Sequence, residues 1–183
     1  VAAAMLAAPA LHAKSFKWAS QGEIATWDIH SQNNALQNGL HANVYESLVY
    51  YNSKTFDVEP VLATAWKEIS PTQVRFTTAD DAVYSIQRAM AKTSNFTPYV
   101  QGISKVAKVD AQTLDVFLSA PNPVLLRQMT ELRIMSKAWA EKNKSVEPKD
   151  IKGTDENFAH RNAMGTGPYT LDSWQPDVKM VFK

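Results

Sequence analysis

Cysteine is missing altogether. Structural disulfides and thiolate zinc sites are therefore excluded, while an oxidising compartment is not. There is also no basic run. Net charge is +1 and both signs are spread along the chain, so no nucleic-acid partner is expected. The uncharged N-terminal run, Val1–Ala13, is too short to cross a bilayer, so no stable membrane insertion is expected. Internal repeats and low-complexity tracts are absent too. What is present is 183 residues, 45% of them hydrophobic. That suffices for one domain with a real core, or for two small lobes.

The start of the chain carries information of its own. "VAAAMLAAPALHA" is rich in alanine and meets Lys14 abruptly. It reads as the apolar part of a secretory signal peptide, with small Ala13 at the cut and Pro9 shortly before it. Export to the periplasm is the expectation for residues 14 onward. The chain starts without Met and ends inside an alternating run, "VKMVFK", so it is expected to be a fragment of something longer.

Hydrophobic periodicity supplies the elements. "SFKWAS" (15–20) alternates and predicts a strand. Leu36, Leu40, Val44 and Leu48 recur every four residues and predict a helix from Asn34 to Tyr50. "TQVRFTT" (72–78) is strand-like. "TADDAVYSIQRAMAK" (78–92) predicts the clearest helix, with Thr78 as cap and Asp80 and Asp81 in the first turn. Arg88 and Lys92 load its C-terminal end. "ISKVAKVDAQTLDVFLS" (103–119) predicts a hairpin turning near Asp110–Gln112. Asn122 and Pro123 predict the start of a helix, and residues 136–144 a second short one. "PYTLDSW" and "VKMVFK" read as strands.

The residues that could carry chemistry do not assemble into a catalytic motif. In "AMGTGPYTL" (163–171) two glycines invite a phosphate-loop reading. A phosphate cradle needs glycines opening a helix, whereas here Pro168 and an alternating strand follow Gly167. Glycines before a strand indicate a sharp turn or a close backbone approach. His12, His30, His41 and His160 lack metal-ligand spacing, and no Gly-x-Ser-x-Gly elbow exists. Asp80 and Asp81 are explained by the helix dipole. The five tryptophans are explained as core or interface anchors. No cofactor, metal or catalytic residue is expected.

The order of landmarks resembles the solute-binding proteins of bacterial ABC importers of the oligopeptide, dipeptide and nickel type, family 5. Asp28-Ile29-His30 resembles the family's Asp-Pro-His loop. "VYESL" (44–48), "EPVLATAW" (59–66), "TADDAVYSIQRA" (78–89) and Pro98-Tyr99 follow. "VDAQTLDV" (109–116), "APNPVLLRQM" (120–129) and "NFA" with "GTGPYTL" (157–171) complete the series. Two departures stand out. Ile29 replaces the usual proline, and a strand–turn–strand segment that the family carries between Phe76 and Thr77 is missing.

The resemblance implies an α/β periplasmic-binding-protein-like lobe, a mixed sheet with flanking helices, plus a small α+β subdomain. Residues 14–43 and 164–183 would form the first-lobe core and 44–163 the inserted subdomain. Relatives are more than twice as long, and their second large lobe has no counterpart here. The implied activity is binding, not catalysis. A small solute, expected to be a short peptide, would be captured and delivered to an ABC transporter permease complex. The ligand edge implied by the resemblance comprises Asn33, Asn34, Ala35 and Tyr99. Gly165, Gly167, Pro168 and Tyr169 are implied to be structural, at the point where the chain re-enters the first lobe. Two other readings stand beside this one. A secreted hydrolase fragment would show a Ser or His with a shifted pKa in a closed cleft. A non-functional partial product would fold without binding ligand.

Overall fold

The computed structural model describes residues 15–78 and 80–183. The expected signal segment, residues 1–13, lies outside the described residues. In chain order the elements are α1 (Ala35–His41), β1 (Val49–Tyr51), β2 (Val58–Pro60), β3 (Ala65–Ser70), β4 (Gln73–Thr77), α2 (Asp81–Ala89) and α3 (Thr97–Val100). Then come β5 (Ile103–Asp110), β6 (Thr113–Leu118), α4 (Leu125–Met129), α5 (Lys137–Lys142), β7 (Leu171–Gln175) and β8 (Lys179–Phe182).

The largest sheet has the order β3-β4-β6-β5, and every neighbouring pair is antiparallel. Period-2 alternation explains its sidedness. Phe76, Leu114, Val116 and Val106 are buried in one cluster with Ile86 of α2. Arg75 and Asp115 stand directly opposite each other in the β4–β6 register and are joined by a 2.7 Å ion pair. β4 runs unbroken through the position where the resemblance predicts an extra segment. Phe76 faces Trp66 and Leu114, and Thr77 faces Ala65 and Thr113. The sheet is complete there without that segment.

A second cluster joins Trp27, Ile29, Val44 and Tyr45 to Met135, Ala140 and Ala159, with Trp174 and Phe182 of the β7–β8 hairpin packed against it. Met135–Ala163, grouped by sequence with the inserted subdomain, thus packs in the Trp27 cluster and not in the first. α2 lies between the clusters. Its Ala82, Ile86 and Ala89 enter the first and its Tyr84 the second.

The hairpin at 103–118 and the helix capped by Ser136, whose hydroxyl accepts from the Trp139 N–H, form as the sequence predicts. Other expectations need correction. Residues 15–20 form no strand, and Phe16 is 87% exposed. Alternation makes a strand only where a ladder partner satisfies the backbone. The helix predicted for 34–50 stops at His41, where the Asn43 side chain donates to the Gly39 and Leu40 carbonyls. The four-residue spacing serves two different cores, since Leu40 and Val44 enter one and Leu48 the other. Thr78 does not cap α2; its hydroxyl donates to the Leu62 carbonyl. Asn122 accepts from the Val124 N–H in a turn, and α4 begins only at Leu125. β3, not predicted as a strand, pairs along β4.

Candidate functional site

Asn34 caps α1. Its Oδ1 accepts from the Gln37 N–H at 2.8 Å, the role for which Asn is favoured at this position. Ala35 opens the helix, and the Asn33 Oδ1 accepts from the Asn38 side chain at 2.8 Å. Tyr99 belongs to the single turn of α3, and its ring lies 5.6 Å from that of Phe96. Arg133 follows α4 and pairs across to Ser47 in an isolated antiparallel bridge. Asn33, Asn34, Ala35, Tyr99, Glu131 and Arg133 line one open concavity of about 550 Å³, together with Asn38 and Gly39. The four residues that the resemblance implies for a ligand edge therefore lie around one concavity.

The Asp28-Ile29-His30 loop lies buried behind this concavity. Arg88 reaches Asp28 with two parallel hydrogen bonds of 2.6 and 2.7 Å, and both side chains are almost fully enclosed. Arg88 also donates to the carbonyls of Ser145, Val146 and Glu147. Asp28 accepts further from the Lys149 N–H and the Asn157 side chain. Burial would raise the Asp28 pKa, but Arg88 and these donors outweigh it and hold it at about 2. For Arg88, burial opposes the charge and Asp28 more than restores it, so its pKa is raised. The sequence assigns Arg88 to the helix dipole; the structure makes it the buried partner of Asp28.

His30 continues the chain of contacts toward the concavity. Its Nδ1 accepts from Arg88 at 3.3 Å, which leaves Nε2 to donate to the Arg133 carbonyl at 3.1 Å. Burial and the neighbouring Arg88 charge lower its pKa to about 3. The Ser94 hydroxyl and the Asn95 N–H both donate to the His30 carbonyl. The loop thus fixes the backbone that presents Arg133, and does not itself line the concavity.

Arg133 was not singled out from the sequence. The one trace it leaves there is a cation between Leu132 and Ile134 in an otherwise apolar run. Its Nη1 donates to the Ser47 hydroxyl at 3.2 Å and to the Thr130 carbonyl at 3.4 Å. Its Nε is buried and has no partner among the described residues. Burial lowers its pKa, and the Glu131 charge only partly opposes that.

Gly165 and Gly167 have a different task. Neither has a positive φ; Gly22 is the one described glycine that does. Both lie against the Asn43–Tyr45 backbone. A Cβ on Gly165 would stand 2.2 Å from the Val44 oxygen, and one on Gly167 2.6 Å from the Val44 carbonyl carbon. Such contacts are not available to a side chain. The Gly167 N–H donates to Val44 and the Tyr169 N–H to Asn43. Pro168 and Tyr169 are exposed. The regular strand begins only at Leu171, after Thr170 and Lys183 exchange a pair of backbone bonds.

Among the described residues no group of three or more His, Asp or Glu side chains could hold a metal ion. Nor is any helix there long and apolar enough to cross a membrane. The two histidines with strongly lowered pKa values, His30 and His41, are enclosed. His41 is spent on the Thr26 carbonyl at 3.2 Å, with burial lowering its pKa to about 4. Neither lines the concavity.

A two-core α/β unit with an open polar concavity at one edge defines part of a periplasmic-binding-protein fold. The family model for bacterial extracellular solute-binding proteins, family 5 Middle, matches residues 75–183. The chain belongs to that family. It is similar to the dipeptide-binding protein of Escherichia coli K12, 26% identical over 218 aligned positions that cover 98% of this chain and 39% of that protein. It is also similar to the HTH-type transcriptional regulator SgrR of E. coli O6:K15:H31, 26% identical over 144 residues, 70% of this chain and 22% of that one. The solved dipeptide binding protein of Pseudoalteromonas sp. SM9913, in complex with Met-Leu, superposes with a TM-score of 0.73 at 18% identity. That match covers 89% of this chain and 38% of the other. The chain spans less than half the length of each of these relatives.

Proposed function

We propose that the protein captures a small solute, a short peptide foremost, in the periplasm and delivers it to an ABC transporter permease complex. Residues 1–13 would be the remnant of the export signal. The observation that carries the reading is the convergence of Asn33, Asn34, Ala35 and Tyr99, from two segments distant in sequence, on one solvent-open concavity. Asparagine amides can donate to and accept from a peptide backbone, and the Tyr99 ring offers an apolar face with a hydroxyl. We further propose that residues 14–43 and 164–183 form the first-lobe core and 44–163 the inserted subdomain. The two hydrophobic clusters support two units, but Val44, Tyr45, Tyr84 and the core residues of Met135–Ala163 side with the Trp27 cluster, across the proposed boundary.

A peptide lying on so open a surface stays partly hydrated. Forgoing about 4 kcal/mol of contact would weaken a micromolar site to roughly millimolar. Titration of the isotope-labelled protein with mixed short peptides is the test. Amide shifts at Asn33, Asn34, Ala35 and Tyr99 are expected at millimolar ligand, with no calorimetric isotherm at tens of micromolar. Shifts confined to other residues would remove the site assignment, and a low-micromolar isotherm would contradict the half-open geometry. One curated relative is named as a binding protein and one as a regulator, so delivery needs its own test. Deleting the gene should lower peptide uptake by cells, and unchanged uptake would overturn that half of the reading.

A further inference from the structure

The chain has six glycines, and a Cβ built on five of them would meet a neighbouring atom at 3.5 Å or less. Gly39 is the exception. A Cβ there would meet nothing within 4 Å, and its φ is not positive. The packing around it therefore does not ask for glycine. The helix argues against it. α1 has seven residues with Gly39 inside it, and only proline is less favoured than glycine in a helix interior. Alanine would fit the same backbone and hold it better.

The open space at Gly39 belongs to the concavity. α1 buries Gln37, Leu40 and His41, whereas Ala35, Asn38 and Gly39 line the concavity. Those three stand at i, i+3 and i+4, on one face of the helix. That face is low. Ala35 carries one methyl, the Asn38 amide is tied back to the Asn33 Oδ1, and Gly39 carries nothing. Tyr99, Glu131 and Arg133 line the concavity from other segments. A side chain at position 39 would take up room that is now free for a bound molecule.

We propose that Gly39 is a specificity-determining residue, whose missing side chain leaves room in the concavity for a side chain of the solute. This rests on the Asn33–Tyr99 concavity being the solute site. Bulk at position 39 and bulk on the solute then compete for one space. The solute that gains from the room is a peptide with side chains; a peptide built of glycine does not use it.

The test uses the isotope-labelled protein with two probes, triglycine and trivaline, and two variants, Gly39→Ala and Gly39→Leu. Binding is followed at the amides of Asn33, Asn34 and Tyr99, and stability by thermal melting. Both peptides should shift these amides in the unaltered protein. Gly39→Ala should raise the melting temperature by about 1–4 °C, since the helix gains a better former. It should also weaken trivaline at least about fivefold and triglycine less than about twofold, because an added methyl is felt only where space is already filled. Gly39→Leu should remove the trivaline shifts altogether. A purely structural glycine would not move stability and affinity in opposite directions, nor tell the two peptides apart. Equal weakening of both peptides, or none, overturns the proposal and leaves the site standing. So does a fall in melting temperature in Gly39→Ala, which would mean that the fold itself needs the glycine. Binding of triglycine but not trivaline to the unaltered protein overturns it too, since the room would not be there. If neither peptide shifts these amides in the unaltered protein, the site reading falls and the role of Gly39 falls with it.

Discussion

Arg88 and Arg133 are joined through one histidine, yet they are used in opposite ways. Arg88 is sealed into a network in which Asp28, three carbonyls and His30 take up its donors. The network ties the segment around residue 28 to α2 and to the loop of residues 145–157. Arg133 borders an open concavity with most of its donors idle. A saturated buried ion pair specifies structure, because removing either partner strands the other in a dry site. Arg133, at the edge of solvent, has no counter-ion among the described residues, so its removal strands no buried charge. The difference separates a charge that the fold cannot lose from one that it can.

The contrast can be broken most forcefully at Asp28. Asp28→Asn leaves the enclosed Arg88 charge without its counter-ion and should cost about 3–5 kcal/mol in urea denaturation, enough to unfold much of the population. A loss below about 1 kcal/mol would mean that the network is not what holds the loop. Next in size is the glycine pair. Gly165→Val or Gly167→Val drives a side chain into the Val44 backbone and should cost roughly 1–3 kcal/mol or more, with a lowered melting temperature. Wild-type stability in Gly167→Val would contradict the close approach.

A smaller effect at neutral pH separates the buried region from the open one by titration. His30 and His41 have folded pKa values of about 3 and 4, below the ordinary 6.5. The unfolded chain therefore binds more protons than the fold between about pH 6.5 and those values. Stability is full above pH 6.5 and falls as pH drops through that window. The contribution of Asp28 is lost only below its ordinary 3.8, toward 2. Melting temperature followed from pH 7.5 to 4 should decline, and His41→Gln should flatten the decline. A flat profile in the unaltered protein would show that neither histidine is buried neutral. The smallest effect belongs to Arg133→Gln, expected to change stability by no more than about 0.5 kcal/mol. A loss as large as that of Asp28→Asn would erase the distinction between the two arginines.

Much of the fold is written locally. The hairpin at 103–118 and the helix after Ser136 follow from alternation and from a cap, signals that need no distant partner. The ligand-edge residues came from resemblance, and it placed Asn33 and Tyr99 on what is one concavity. What the sequence hides is long-range pairing. Nothing near Arg88 announces Asp28, sixty residues away, and dipole complementation was a sufficient local explanation. Residues 34–50 carry an unbroken helical period, yet Val44 and Leu48 answer to different cores. Ser15–Ser20 alternates like a strand, but alternation cannot supply a neighbour. Arg133 escaped because an under-used donor is a property of three-dimensional surroundings, invisible in a list of residue types.

The close passage of Gly165 and Gly167 over Val44 also sets a timetable. The sheet of β3 to β6 pairs within residues 65–118, so it can assemble while the rest of the chain is still emerging from the ribosome. The Trp27 N–H, in contrast, finds its acceptor at His160, and the Val44 oxygen finds its donor at Gly167. These contacts close loops of more than a hundred residues, the slow kind of contact in folding. Trp27, Ile29 and Leu40 are made early and buried late, and through that interval they are exposed apolar surface of the sort that aggregates or recruits a chaperone. The stretch synthesised before the sheet is thus completed only after it, and the two glycines stand where that closure happens.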